Sequence, residues 1–156
     1  MAATGTLGAQ LSVGASPLVT VTGLTITSFQ GLGYTAVGFV ENLGEFGRQF
    51  ETVKFVSVND ARTLKLKGPY DDGTMQMTVG SDLFDAGQQI LFNAGTALDQ
   101  NTYPFQLILV GASAYWDTIY FGGKVMSFRF QAGAANSVFR GLVNLEVNTE
   151  VFVGDS

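Results

Sequence analysis

The chain has 156 residues, 13 acidic against 8 basic side chains, a net charge of −5 and 20 glycines. Histidine and cysteine are both absent, which removes the commonest general base, the commonest metal ligand, every thiolate nucleophile and every disulfide. The length suits one domain, and the acidic balance argues against a grip on nucleic acid, which needs clustered Lys and Arg to neutralise phosphates.

Only 13% of residues are charged while 46% are apolar. Two readings follow: apolar surface covered by further protein copies, or one large core.

Gly, Ala, Ser and Thr dominate residues 2–16, so 1–17 reads as a flexible arm ahead of a single domain over 18–156. The arm lacks Lys, Arg and an uninterrupted apolar run, which makes it a poor signal peptide, and no later stretch has the length of a membrane span. Leu18–Phe29 alternates Val19, Val21, Leu24 and Ile26 with Thr20, Thr22, Thr25 and Thr27. That pattern predicts a strand with a bulge at Gly23.

Residues 30–47 combine Gly31, Gly33, Gly38, Gly44 and Gly47 with Tyr34, Phe39 and Phe46. They read either as a pair of short edge strands or as a long loop ordered against a neighbouring copy, and the unmatched aromatics favour the second. Arg48–Val58 and Thr63–Lys67 then pattern as a hairpin around residues 59–62. Arg48, Lys54, Arg62, Lys65 and Lys67, five of the eight basic residues, fall in this window. Thr63, Lys65 and Lys67 share the polar face of a strand, which keeps an edge from aggregating or meets an acidic partner. Aromatics suited to base stacking are not interleaved on that face, so DNA gripping is set aside. Residues 68–73 read as a turn; Asp71, Asp72 and Gly73 lack the alternating oxygen ligands and closing glutamate of a calcium loop. Thr74–Val79 is a strand with Met75, Met77 and Val79 inward.

Asp82–Ala94 is the one stretch that reads as helix. Asp85 and Gln88 form a D-x-x-Q start in which the carboxylate accepts a first-turn N–H and Gln88 reaches back. Ile90, Leu91, Ala94, Ala97 and Leu98 recur at three- and four-residue steps as one stripe. Tyr103–Val110 is apolar on both faces, as a central strand would be. After a turn at 111–114, Thr118–Tyr120 begins a strand, Gly122 and Gly123 interrupt it, and Lys124–Phe130 resumes with Met126, Phe128 and Phe130 on one face; Gly122-Gly123-Lys124 lacks the spacing of a phosphate loop. Ser137–Val147 aligns Phe139, Val143, Leu145 and Val147, and Val151, Phe152 and Val153 add a terminal strand. The fold class expected is mainly β, a two-sheet sandwich or open barrel with one α-helix packed at its side or end.

No motif supports a reaction class, and neither a cofactor nor a metal is expected. The paired acids Asp71 with Asp72, and Glu41 with Glu45, read as solvated turn residues. Trp116, with Tyr115 and Tyr120, raises a second class of function, a carbohydrate-binding β-sandwich that stacks sugars on aromatic rings. A hydrolase would need a substrate-assisted site or one of carboxylates alone.

Several short motifs occur in a fixed order: Lys65-Leu66-Lys67-Gly68 through Gly73-Thr74, Asp82, Asp85-Ala86-Gly87-Gln88 opening the helix with Leu91 and Ala94 inside it, Tyr103-Pro104-Phe105 to Leu109, Tyr120-Phe121-Gly122-Gly123-Lys124-Val125, and a last strand ending near Val147. In this order, across most of its length, the chain resembles the major tail tube proteins of long-tailed, siphovirus-like bacteriophages; related folds occur in contractile tails and type VI secretion tubes. The resemblance implies a β-sandwich whose inner sheet joins those of five neighbours in a ring-shaped barrel, with rings stacking front to back as a conduit for DNA. It implies the chain itself, tape-measure and tail-terminator or tip proteins as partners, and a place in the virion after synthesis in the host cytoplasm. By position, 1–17, 30–47 and 148–156 would make ring-to-ring contacts, with Tyr34, Phe39, Phe46, Arg48, Val151 and Phe152 as candidate contact residues. Glu41, Glu45, Glu51, Asp60 and Glu146 are the candidate lumen acids, whose charge would repel the DNA backbone and let it slide.

Overall fold

A computed structural model describes residues 8–109 and 118–154. The alternation of Met75, Met77 and Val79 builds the strand β6 (Thr74–Gly80), with those three side chains buried and Thr74, Gln76 and Thr78 between them. The other elements are β1 (Gln10–Val13), α1 (Ile26–Gln30), β2 (Thr35–Ala36), β3 (Val40–Asn42), β4 (Gln49–Ser57), β5 (Asp60–Asp71), α2 (Ala86–Thr96), β7 (Tyr103–Ile108), β8 (Thr118–Gln131), β9 (Arg140–Val147) and β10 (Phe152–Gly154). The fold is mainly β with one helix of substantial length, as the periodicity predicts.

The large sheet runs β2-β1-β7-β8-β9-β6-β3 with β10 also paired to β8, and its neighbours are antiparallel. Its first and last strands are separated in sequence only by Val37, Gly38 and Phe39. Three residues bridge at most about 14 Å between the flanking Cα atoms, so the sheet curls until its two edges nearly meet. Helix α2 packs on β8, β1 and β2. The space so enclosed is filled by Leu11, Val13, Met75, Met77, Val79, Leu91, Phe105, Leu107, Phe121, Val143 and Leu145, with Phe105 and Phe121 stacked at 5.2 Å. The second, smaller sheet is the hairpin of β4 and β5, which pair only with each other.

Several expectations are corrected. Residues 10–13, read as part of a flexible arm, form a strand between β7 and β2, with Leu11 and Val13 in the core opposite Leu107 and Phe105; the small residues around them hid two well-buried side chains. The strand expected over 18–29 is absent. Val19 is fully exposed, Gly23 turns the chain at φ +69°, and the helix α1 starts where the Thr25 N–H donates to Ser28 Oγ at 3.2 Å. Phe29 explains this outcome: it is buried against Tyr120 and Phe152, and tertiary packing overrides a threonine alternation that has no strand to pair with.

The turn expected at 68–73 is shorter, because β5 continues through Gly68, Pro69 and Tyr70 to Asp71 with an irregularity opposite Glu51. Gly122 and Gly123 do not interrupt β8; they pair with Pro104 and Tyr103. Gly122 is needed for close approach, since a Cβ there would lie 2.7 Å from Thr149 Cγ2 and 2.8 Å from Leu18 Cδ1. A bulge at Met126 turns that side chain outward while Phe128 stays buried. On α2 only the middle of the predicted stripe faces the core: Leu91 is buried, whereas Ala97 and Leu98 lie past the helix end and are exposed. The predicted turn at 111–114, and Tyr115 and Trp116, lie outside the described residues.

Candidate assembly surfaces

Among the described residues no group of three or more acidic side chains converges to hold a metal ion. What the structure presents instead is surface, and among the described residues the β4–β5 hairpin is a long piece that pairs with no other strand. Its residues are exposed along nearly their whole length. Cross-strand register puts Val53 opposite Leu66 and Phe55 opposite Leu64 on one face. All four remain roughly half exposed, an apolar cluster left open by the other described residues. On the other face Lys54 lies directly opposite Lys65, and Thr52 opposite Lys67, an arrangement of like charges that destabilises an isolated hairpin. Lys67 Nζ sits 4.8 Å over the Phe50 ring, and none of the ion pairs among the described residues involves a lysine of this face. The base, by contrast, is clamped: Arg48 Nε donates to Asp72 Oδ1 at 3.3 Å and the guanidinium lies 4.2 Å over Tyr70.

A second apolar surface lies beside α2. Its framework is a hydrogen-bond network centred on Gln88, which is 3% exposed. Asp85 caps the helix as expected, its Oδ2 accepting from the Gln88 N–H at 3.0 Å and also from the Gly38 N–H at 3.0 Å. The Gln88 side chain does not reach back to Asp85. Its Oε1 accepts from the Asp82 N–H at 2.9 Å, and its Nε2 donates to Gly38 O at 2.8 Å and Gly80 O at 2.9 Å. One amide therefore ties the approach to β3, the end of β6 and the helix start together. The loop it secures exposes Leu83 and Phe84, the latter 93% exposed. Phe92 meets Phe128 edge-on at 5.7 Å, and Phe130 stacks on Phe139 at 5.5 Å. A cavity of about 220 Å³ opens here, lined by Leu83, Gln88, Gln89, Phe92 and Phe128 among others.

The candidate contact residues separate into two groups. Tyr34, Phe46, Val151 and Phe152 are committed to their own chain. The Tyr34 hydroxyl donates to Phe29 O at 2.9 Å beside Tyr120, and burial first, then the neighbouring Tyr120, push its pKa well above the ordinary tyrosine value. Phe46 packs 4.8 Å from Phe121, Phe152 packs 5.6 Å from Phe29, and Val151 lies against the core. Phe39 is different: it is 68% exposed and, among the described residues, the one non-glycine residue with positive φ, at 59°. Arg48 holds the hairpin base.

Of the five candidate lumen acids, Glu41, Glu45 and Glu146 lie around β6, and Glu51 and Asp60 lie on the hairpin. Glu41 accepts from Arg140 Nε at 2.6 Å, and that hydrogen bond, followed by the charge of Glu41, raises the Arg140 pKa above its usual value. Glu146 accepts from Thr74 Oγ1 at 2.7 Å and lies opposite Lys124 in register. Glu51 and Asp60 ride on the hairpin, and Glu45 is exposed in the loop after β3. Of the aromatics considered for sugar stacking, Tyr120 is 1% exposed and has no ring face to offer. Sequence reasoning missed the patch beside α2; its trace was the pair Leu83-Phe84, apolar and unmatched, just ahead of a helix cap.

No protein family and no curated protein sequence matches the chain. Solved structures do. A chain of the sheath/tube terminator of an extracellular contractile injection system (PVC, extended state) superposes with TM-score 0.68 at 12% identity, covering 98% of this chain and 97% of that one. A chain of the anti-feeding prophage (AFP) baseplate gives TM-score 0.66 at 9% identity, over 93% and 91%. The SPP1 tail tube gives 0.58 at 12% identity, over 95% of this chain and 77% of that one. At such identities what is shared is the fold, and in fold the chain resembles the tail tube proteins of phages and contractile injection systems.

Proposed function

We propose that this chain is a structural protein, not an enzyme, that self-associates into six-membered rings stacked as a tail tube through which DNA passes. The observation that carries the reading is the β4–β5 hairpin, clamped at its base and bare on both faces, on a fold shared end to end with tube and baseplate components. An isolated chain gains nothing from exposing Val53, Phe55, Leu64 and Leu66, whereas a partner copy would bury them. Six-fold order is supported by the AFP baseplate, whose structure was symmetrised six-fold. The curled sheet offers a channel wall in its outer face over β6, β9 and the second half of β8. There Gln76, Thr78, Ser127 and Asn144 are neutral and Arg129 is cationic, while Glu146 and Lys124, like Glu41 and Arg140, offset each other. A wall with a single cation in excess would hold a polyanion only weakly, through little counterion release. Tape-measure and terminator or tip proteins are the further partners, and the virion tail is the location.

Negative-stain electron microscopy beside light scattering tests this directly. Stacked rings or tubes with a central channel are expected from the purified chain. A monodisperse monomer across high concentration and varied salt would refute it.

A further inference from the structure

Pairing across the β4–β5 hairpin builds a face that neither strand shows by itself. Phe50 lies opposite Tyr70, Thr52 opposite Lys67 and Lys54 opposite Lys65. Contacts fix the first of these on one side: the Phe50 and Tyr70 ring centroids are 5.4 Å apart, Lys67 Nζ lies 4.8 Å over Phe50, and the Arg48 guanidinium lies 4.2 Å over Tyr70. Alternation along β4 adds Lys54 and its partner Lys65 to the same side. Cation, ring, ring and cation thus run in line from the base, with a lysine pair beyond them. Tyr70 is 57% exposed and Phe50 37%. Within Thr63–Lys67 no aromatic alternates with the lysines, which set a nucleic-acid grip aside; pairing with β4, and the irregularity in β5 that brings Tyr70 round, supplies two.

The acids of the hairpin stand elsewhere. Asp60 Oδ1 accepts from the Arg62 N–H at 3.1 Å near the tip, and Asp71 Oδ1 from the Gly73 N–H at 3.0 Å at the base. Glu51 alternates with Phe50 and Thr52 onto the side of Val53. Asp72 and Glu150 are drawn to Arg48, at 3.3 and 3.9 Å, so Arg48 is compensated while Lys54, Lys65 and Lys67 are in none of the ion pairs among the described residues. Residues 48–71 carry five cations against Glu51, Asp60 and Asp71, a net of +2, which leaves −7 on the rest of a chain of net −5. Lys54 stands five residues out from Gln49, about 16 Å at roughly 3.3 Å per residue. That is twice the screening length of about 8 Å at physiological salt, so the acidic body does little to repel an anion there.

We propose that this face is a binding site for single-stranded nucleic acid, with Lys54, Lys65 and Lys67 on phosphates and Tyr70 and Phe50 stacking on bases. An unpaired strand frees its base faces for the rings, and the rings set this ligand apart from other polyanions. Val53, Phe55, Leu64 and Leu66 lie on the opposite side of the hairpin, so the site does not depend on what covers them.

Fluorescence anisotropy of a labelled oligothymidylate titrated with the full chain tests the site. Binding is expected at about 1–100 µM, weakening with salt at a log–log slope of about −2, which is 0.7 for each of three lysines. Lys54→Gln with Lys65→Gln is expected to flatten that slope by about 1.4. Tyr70→Leu is expected to weaken binding about tenfold with the slope unchanged; Phe50→Leu takes its place if circular dichroism shows that Tyr70→Leu does not fold. A duplex of the same length and phosphatidylglycerol vesicles are expected to bind at least about tenfold more weakly than the single strand. No binding at about 100 µM chain, or lysine and tyrosine variants that bind like their parent, would overturn the site. Vesicles or duplex bound as tightly as the oligothymidylate would overturn its assignment to single strands and make the face a site for phosphate surfaces in general.

Discussion

Replacing Gln88 by leucine keeps the approximate volume and the helix propensity of the site and removes all three side-chain hydrogen bonds that hold the start of α2, the end of β6 and the approach to β3 together. Each such bond contributes about 1 kcal/mol net, so Gln88→Leu is expected to destabilise the folded chain by about 3 kcal/mol, less whatever the added apolar burial returns. For a domain of this size that corresponds to a fall in Tm of roughly 6–12 °C. Gln88→Glu retains the shape and the bond to Asp82 but aims a carboxylate oxygen at the carbonyls of Gly38 and Gly80 in place of an N–H donor. It is expected to be at least as damaging near neutral pH and to recover on acidification, when the carboxyl can again donate. Urea unfolding followed by circular dichroism, at dilutions where light scattering shows single chains so that association does not contribute, gives the free energies. Both variants within about 0.5 kcal/mol of their parent would show that the network does not hold the loop, and with it the reasoning that the network presents Leu83 and Phe84 would fail.

Gly87→Ala improves helix propensity by up to about 1 kcal/mol, yet its Cβ would lie 2.2 Å from Ala36 O; the expected net result in the same unfolding assay is destabilisation of about 1–3 kcal/mol from overpacking. Phe39→Gly relieves a left-handed backbone costing about 1–2 kcal/mol, so the protomer is expected to be at least as stable while stacking weakens; unchanged stacking would remove Phe39 from the contact residues. Lys65→Glu replaces the like-charged pair with Lys54 by an opposite pair and is expected to stabilise the protomer by about 0.2–1 kcal/mol, readable as a shift in the urea midpoint. Tyr34 keeps its proton in the fold at pH values where an unfolded tyrosine, with a pKa of about 10, loses it. Stability is therefore complete below about pH 10 and falls as the pH rises past it, and Tyr34→Phe is expected to flatten that alkaline decline in unfolding curves.

Local pattern was sufficient wherever a segment met its partners at the expected period. Met75, Met77 and Val79 on β6, Val143, Leu145 and Val147 on β9, and Asp85 at the helix cap all lie where the sequence puts them, because burial of one face of a strand and capping of a first turn depend on near neighbours in the chain. The order of motifs was enough to identify the fold's relatives. Leu18–Phe29 shows where this reasoning stops: its alternation is as regular as that of β6, but Phe29 gains more from packing on Tyr120 and Phe152 than a threonine-rich strand gains without an edge to join. Gln10–Val13 shows the reverse, a strand made by long-range register with β7 and hidden among small residues.

The candidate surfaces divide in the same way. Composition alone left open whether the apolar excess is covered by further copies or fills one large core, and the hairpin with its cations was legible from alternation. Only the tertiary structure showed that Phe46 and Phe152 turn inward while Phe55 and Phe84 stay bare, because exposure depends on which distant segments arrive to cover a side chain. The separation of the hairpin from the α2 patch is set by the length of β6 along the chain, and what the tertiary structure adds is that both stay exposed among the described residues.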